Sequence, residues 1–229
     1  MSADCIKSVW VVVAAYNEAP AVGGVVADLM RRRYAVVVVD DGSTDDTGRR
    51  ARAAGAEVIM HCVNLGQGAA LQTGIQFAVG KGADYVVTFD ADGQHRASDI
   101  ELLLDSLTKQ SADFALGSRF LGRAPAMPLS RRMLLKVATW FTRRATGLQL
   151  TDTHNGLRAM TRRGASHIAL RQNRMAHASE LLHQIARSSL GYVEVPVTIE
   201  YSAYSLAKGQ KLSDSLRILV DLSAQRLHR

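Results

Sequence analysis

Cysteine is nearly missing from this chain: Cys5 and Cys62 are the whole supply. Two thiols cannot build a disulfide framework, nor a four-ligand zinc site on their own. They read as reduced thiols of a cytoplasmic protein. Long apolar runs are missing too. The longest near the start, residues 9–15, is far short of the roughly 18 residues that span a bilayer. The chain is therefore expected not to cross a membrane, although it is free to lie on one. Its opening, MSADCIKSVW, lacks the basic, apolar and cleavable order of a secretory leader. Acid is in deficit: Lys and Arg number 28, Asp and Glu 21, for a net charge of +7. Such an excess points to phosphate, whether in nucleic acid, a nucleotide or an anionic membrane, without choosing among them.

What is present is ordinary in bulk. Hydrophobic residues make up 47% and charged residues 21% of 229, which excludes a disordered or collagen-like chain and fits one domain. The first half alternates short apolar runs with helical segments. Residues 9–15, 35–39, 57–61, 85–89 and 113–117 read as strands, the β-rich ones buried on both faces. Helices are expected near 20–33, after Ser43 or Thr44 as a cap with Asp45 and Asp46 in the first turn, at 69–79, and from Ser98 or Asp99. Repeated strand–helix units predict an open, mostly parallel, doubly wound α/β sheet. Ligands of such sheets bind at the carboxyl ends of the strands. Four polar clusters fall there: Tyr16-Asn17-Glu18, Asp40-Asp41, Asn64 and Asp90/Asp92.

After Gly122 the pattern changes. Residues 129–148 predict a long amphipathic helix, with Leu134, Val137, Phe141, Ala145 and Leu148 on the helical period and Met133 and Trp140 alongside. It carries Arg131, Arg132, Lys136, Arg143 and Arg144 and no acid. A polar segment at 152–158, a helix near 176–188, a strand at 192–199, a loop at 201–211 and an amphipathic helix at 212–229 complete the chain.

Asp90-Ala91-Asp92 is the sharpest local signal. Residues two apart in an extended segment point the same way, so two carboxylates would face one point beyond a buried strand. They repel unless a cation or a proton intervenes, and a hard divalent ion with positions left for phosphate is the natural relief. Gln94 and His95 are close enough to help. The plainer reading is a strand-end Asp-Gly turn. One of Asp40 and Asp41 can accept from a base or ribose, with simple helix capping as the alternative. Asn64-Leu65-Gly66-Gln67-Gly68 can bring backbone amides to a phosphate. It is neither a Walker loop nor a G-x-G-x-x-G loop.

Taken in order, VVVAAYNEAPAV, VVVVDDGSTDDT, NLGQGAALQTGI, VVTFDADGQH and GSRF resemble the family 2 inverting glycosyltransferases of the GT-A fold. The nearest likeness is to the branch of dolichyl-phosphate mannose synthase and the polyprenyl-phosphate glycosyltransferases. It is strong over about 8–121 and looser, through DTHNGLRAM, HASELLHQIAR and GYVEVPVTIEY, to about 201. The resemblance implies one GT-A domain over 1–229. Its parts are a nucleotide-sugar half at about 8–121, an acceptor-side half at about 122–205, and a lid loop with terminal helix at about 206–229. It places Tyr16, Asn17 and Glu18 at the nucleoside, Asp40 or Asp41 at base or ribose, and Asn64 and Gly66 along the nucleotide-sugar pocket. Asp90 and Asp92, with Gln94, would hold Mg²⁺ or Mn²⁺ on the diphosphate. Arg119 would reach the diphosphate or an acceptor phosphate, and Gly156 and Arg158 stand in register with an acceptor-side D-x-x-x-G-x-R stretch.

The attacking oxygen decides the rest. A sugar hydroxyl needs a general base, whereas a lipid phosphate is already anionic. Asp152 and Glu180 are the candidate bases. Their plainer readings are a turn aspartate paired with Arg158 and a helix ion pair with His183 or Arg187. The tail YSAYSLAKGQK departs from the lipid-phosphate pattern of Arg, Gly, then Ser-Lys, which keeps a lipid-linked saccharide open as acceptor. Tyr201, Tyr204, Lys208 and Lys211 read as a cationic lid or as an exposed loop. The basic 129–148 helix reads as lying in an anionic membrane interface. Core packing with a solvated basic face is its alternative, and no nucleic-acid fold signature accompanies it. The terminal helix is a further membrane contact or a homodimer contact. The expected function is metal-dependent, inverting transfer of a sugar from a nucleoside-diphosphate sugar to a lipid-linked acceptor, peripherally at the cytoplasmic membrane face. A nucleotide-sugar-binding scaffold without turnover and, further back, a sugar nucleotidyltransferase are the alternatives.

Overall fold

The computed structural model describes residues 8–125, 127–172 and 176–201. Within them run β1 (Val9–Ala15), α1 (Ala19–Arg31), β2 (Ala35–Asp40), α2 (Thr47–Ala53), β3 (Glu57–Met60), α3 (Gln67–Gly80), β4 (Tyr85–Asp90), α4 (Asp99–Lys109) and β5 (Phe114–Arg123). Then follow α5 (Leu129–Thr146), β6 (Arg158–Thr161), α6 (Arg162–His167), α7 (Ala176–Arg187) and β7 (Tyr192–Thr198). Seven strands form one open sheet in the order β3-β2-β1-β4-β6-β5-β7, parallel except for β6, which runs antiparallel to β4 and β5. Lys208, Lys211, Tyr204 and the 212–229 helix lie outside the described residues.

The continuous Val runs of β1 and β2 follow from burial on both faces. Val11, Val13, Val36 and Val38 enter one core with α1 and α4, including Val22, Val26, Ile100 and Leu103. Their neighbours Val12, Val37 and Val39 enter a second core with α3 and α7, including Leu71, Ile75 and Leu181. Strand alternation thus feeds both sides of the sheet. Helix α3 lies close on the sheet because position 74 is glycine. A Cβ there would come 3.2 Å from Val39 Cγ2 and closer still to Val12.

Three expectations need correcting. Helix α2 begins at Thr47, not at residue 44 or 45. Asp45 accepts from the Thr47 N–H and hydroxyl, and Ser43 N–H donates to Asp40, so residues 43–46 form a hydrogen-bonded turn before the helix. Strand β5 runs on to Arg123 because β7 pairs with it beyond an irregularity between Ser118 and Arg123. Helix α5 ends at Thr146 rather than at residue 148, with Gly147 as its left-handed cap, and the face it buries is Leu135, Ala138, Thr139 and Thr142. Small residues allow close approach, and the Thr139 and Thr142 hydroxyls donate to the Leu135 and Ala138 carbonyls, so no polar group is stranded. Met133, Val137, Trp140 and Phe141 therefore point outward.

Candidate active site

The polar clusters meet at the carboxyl ends of β1, β2 and β4. The turn after β1 is stitched to the turn after β2. Asn17 N–H donates to Ser43 Oγ (2.9 Å), Thr44 N–H to Asn17 Oδ1 (2.9 Å) and Glu18 N–H to Thr47 Oγ1 (2.8 Å). Asn17 takes a left-handed φ of 53° there, which asparagine tolerates better than most residues. Asp40 and Asp41 are buried, and their carboxylates are engaged within the protein. Asp40 accepts from Ser43 N–H (2.9 Å). Asp41 accepts from Leu65 N–H (2.9 Å) and Gly66 N–H (2.7 Å), and its Oδ1 lies 2.7 Å from His61 Nδ1. Thr73 holds the other side of the His61 ring. Asp41 thereby fixes the loop carrying Asn64, which is exposed beside Gly66. Neither His61 nor Thr73, the latter within the NLGQGAALQTGI stretch, was foreseen in this role.

At the end of β4, Asp90 Oδ2 lies 2.8 Å from His95 Nε2, and Oδ1 accepts from Gln67 Nε2 at 3.3 Å. The Asp90 side chain remains 32% exposed. Burial opposes its charge, but the His95 hydrogen bond and the charges of His95, Arg158 and His177 win and hold its carboxyl below the usual range. Asp92 fares differently. Burial, then the charge of Asp90, and finally Glu18 push it up to about 6. Gln94 is pinned by its backbone, its N–H on Asp92 Oδ1 (3.0 Å) and its carbonyl accepting from Glu200 N–H (2.9 Å). No three His, Cys, Asp or Glu side chains among the described residues form a closed metal site. What exists is a repelling carboxylate pair, partly open. That donor set fits a hard divalent cation whose remaining ligands come from a substrate.

The acceptor-side residues crowd the same spot. A Cβ on Gly156 would sit 2.5 Å from the carboxylate carbon of Asp90 and closer to its oxygens, so only glycine leaves room. Arg158 on β6 is buried, forms no side-chain hydrogen bond or ion pair within the described residues, and leaves Nη1 without a partner. Burial pulls its pKa down, against the opposing charges of Asp90 and Asp152. Asp152 does not pair with Arg158. Its Oδ2 accepts from Arg119 Nε (2.6 Å) and Arg119 N–H (3.1 Å), and its Oδ1 accepts from His154 N–H (3.2 Å). Arg119 also donates to the His154 carbonyl and to the Tyr201 hydroxyl (3.4 Å). His154 is half-buried, with its ring Nε2 shut from solvent, and this desolvation drops its pKa to about 4 and keeps it neutral. Glu180 makes no helix ion pair. Its carboxylate accepts from the backbone N–H groups of Arg171 (2.9 Å) and Gln172 (2.8 Å), holding the loop before α7. Tyr201 lies under the Arg131 guanidinium, 5.2 Å from the ring centre.

The family model for glycosyl transferase family 2 matches residues 10–168, which holds most of this site. The chain belongs to that family, and it is a glycosyltransferase. Two relatives are named for transfer to a lipid phosphate. A UDP-N-acetylglucosamine–dolichyl-phosphate N-acetylglucosaminyltransferase of Methanococcus voltae is 30% identical over 94% of this chain and 95% of its own. An undecaprenyl-phosphate mannosyltransferase of Micrococcus luteus is 32% identical over 71% and 70%. Among solved structures, glucosyl-3-phosphoglycerate synthase of Mycobacterium tuberculosis, crystallised with Mn²⁺, UDP and glucosyl-3-phosphoglycerate, superposes with a TM-score of 0.69. It is 18% identical over 96% of this chain and 80% of that one, a likeness of fold.

In this glycosyltransferase the motif residues Asp90, Asp92, Arg119, Asp152, Gly156 and Arg158 are joined by contact and charge into one cluster, while Glu180 stands aside on α7. Sequence reading missed Gln67, His154, His177 and Glu194. Gln67 and His154 sat inside motifs already singled out. Glu194 gave one signal, a lone acid within a strand run.

Proposed function

We propose that this glycosyltransferase moves a sugar from a nucleoside-diphosphate sugar onto a lipid-borne phosphate, inverting the configuration at C1. The observation that carries this reading is the state of the acceptor side. Both carboxylates that could serve as a base, Asp152 and Glu180, are committed to hydrogen bonds. Two buried arginines, Arg119 and Arg158, lie near Asp152. A site with cations and no free base suits an acceptor that brings its own anionic oxygen. The dolichyl- and undecaprenyl-phosphate specificities of the relatives agree.

In this reading Tyr16, Asn17, Glu18, Asn64 and Gly66 border the nucleoside, with Asp40 and Asp41 shaping the two loops. Asp90 and Asp92, with Gln94 beside them, hold Mg²⁺ or Mn²⁺. The ion supplies charge neutralisation at the donor diphosphate. Arg119 and Arg158 bind and orient the phosphates. The acceptor oxygen forms its bond to C1 as the bond from C1 to the diphosphate oxygen breaks and its electron pair leaves on the nucleoside diphosphate. His154 stays neutral beside Arg119 and Asp152.

Helix α5 supports work at a membrane face. No helix among the described residues is long and apolar enough to cross a membrane. Yet α5 exposes Leu129, Met133, Val137, Trp140 and Phe141 among five basic residues and no acid. That is the composition of a helix lying in an anionic interface. The test is transfer from a panel of UDP-, GDP- and dTDP-sugars with Mn²⁺ to undecaprenyl phosphate, against undecaprenol. Transfer to the phosphate alone supports the reading. Transfer to the alcohol, or to a lipid-linked saccharide only, overturns it.

A further inference from the structure

Arg119 has five N–H groups. Asp152, the His154 carbonyl and the Tyr201 hydroxyl take three of them, which leaves one N–H on each terminal nitrogen for a ligand. The aim of that fork depends on Asp152. Asp152 itself stands on residues 147–157, which have neither helix nor strand. Something outside the segment must therefore hold it.

The grip comes from β7. Tyr192 and Glu194 are two apart in the strand and share a face. The Tyr192 hydroxyl accepts from Gln149 N–H (2.8 Å). Both oxygens of Glu194 lie 2.8 Å from Thr151 N, and Oε1 also accepts from the Thr151 hydroxyl (3.1 Å) and Asp152 N–H (3.1 Å). Ser118, next to Arg119 on β5, lies 2.6 Å from Thr151 Oγ1. Burial pushes the Glu194 carboxyl up, with Asp152 adding to it, and the donors from Thr151 and Asp152 work against that rise. A half-buried acid is thus held by hydrogen bonds that all go to the backbone and hydroxyl of Thr151 and the backbone of Asp152.

We propose that Glu194 is the positioning residue for Arg119. By clamping Thr151 and Asp152 onto the strand edge, it sets the direction in which the two remaining Arg119 N–H groups meet an anionic substrate. This rests on the reading of Arg119 as a phosphate ligand.

The test is a double-mutant cycle on the full chain with Glu194→Ala, Arg119→Ala and the pair, assayed by transfer to undecaprenyl phosphate. Glu194→Asp, which keeps the charge but draws the carboxylate back, guards against a fold failure in the alanine variant. Misaiming a binding group by about an ångström costs on the order of 100-fold. Glu194→Ala and Glu194→Asp should therefore lower kcat/KM by about 10–100-fold, with thermal midpoints reported alongside. Glu194→Gln should recover most of the loss, since Oε1 still accepts. In the Arg119→Ala background the Glu194 change should cost less than about threefold. An equal cost in both backgrounds overturns the assignment, as does unchanged turnover in Glu194→Asp. A second readout needs no turnover: the ¹⁵N resonance of Arg119 Nε–H, identified by its loss in Arg119→Ala, should move in Glu194→Asp. An unmoved resonance also overturns the proposal. A moved resonance with no lipid-phosphate transfer by the unaltered chain leaves Glu194 positioning Arg119 and removes the acceptor reading alone.

Discussion

Gly156→Ala puts one methyl group where the structure has no room for it. The new Cβ would sit 2.5 Å from the Asp90 carboxylate carbon, nearer to both oxygens. Asp90 has little freedom to retreat, since His95 holds one oxygen and Gln67 the other. Backing away breaks those bonds and turns the carboxylate from Asp92. Overpacking a tight site costs about 1–3 kcal/mol. The intruder here meets the end of a side chain that is 32% exposed, so the lower end of that range is expected. At about 2–4 °C per kcal/mol for a chain of this size, the thermal midpoint should fall by only a few degrees. Activity should suffer far more. Losing a group aimed at charge that develops in the transition state costs about 10²–10³-fold in kcat. The assay pairs steady-state transfer with thermal unfolding in UDP or GDP with and without Mn²⁺. Near-normal folding, loss of the Mn²⁺-dependent shift and a kcat down about 100-fold are expected. A variant that keeps the Mn²⁺ shift and its turnover would refute the reasoning, because Gly156 would then not be reserving space for Asp90.

Arg158→Met should leave the stability of the chain without substrate within about 1 kcal/mol, because it relieves a buried guanidinium that has no side-chain hydrogen bond among the described residues but also removes its charge from Asp90 and Asp152. Transfer should fall by at least about 100-fold. A midpoint lowered by several degrees would show that Arg158 is structural. His154 has its pKa depressed to about 4 from 6.5, so below pH 6.5 the unfolded state binds the proton more readily. Its stability contribution is full above pH 6.5 and is lost as pH falls towards 4. His154→Gln should therefore flatten the fall in urea-unfolding stability across that window, and an unchanged slope would contradict the burial. Trp140→Ala removes an exposed side chain. It should weaken sedimentation with anionic vesicles about tenfold while leaving the midpoint within a degree or so. Unaltered vesicle binding would take α5 out of the interface.

The sheet was legible because burial on both faces leaves a mark. Runs such as residues 35–39 have no other stable setting than the middle of a parallel sheet. The site was legible for a related reason: polar residues directly after such runs must lie at the sheet's carboxyl edge. Elsewhere local pattern was insufficient. Strand β6 has four residues, Arg158–Thr161, too few for a periodic signal, and pairing with β4 and β5 supplies its identity. Helix α5 showed a sound apolar stripe, but which stripe is buried depends on what packs against it. The partners of Asp152 and Glu180 were equally out of reach, since Arg119 lies 33 positions from Asp152.

The sequence by itself determined the strand–helix order of residues 9–117, the carboxyl-edge location of Asp90 and Asp92, and the family. These rest on local alternation and on motifs contiguous in the chain. Tertiary structure alone decided which side chains remain available. Asp40, Asp41, Asp152 and Glu180 carry the same chemistry as Asp90 on paper, and protein groups engage all five, but the Asp90 side chain stays 32% exposed while those of Asp41 and Asp152 are 4% and 0% exposed. Arg158, placed by its motif, is buried without a side-chain hydrogen bond among the described residues. Availability depends on hydrogen bonds between distant segments, and those form only when the sheet brings the segments together.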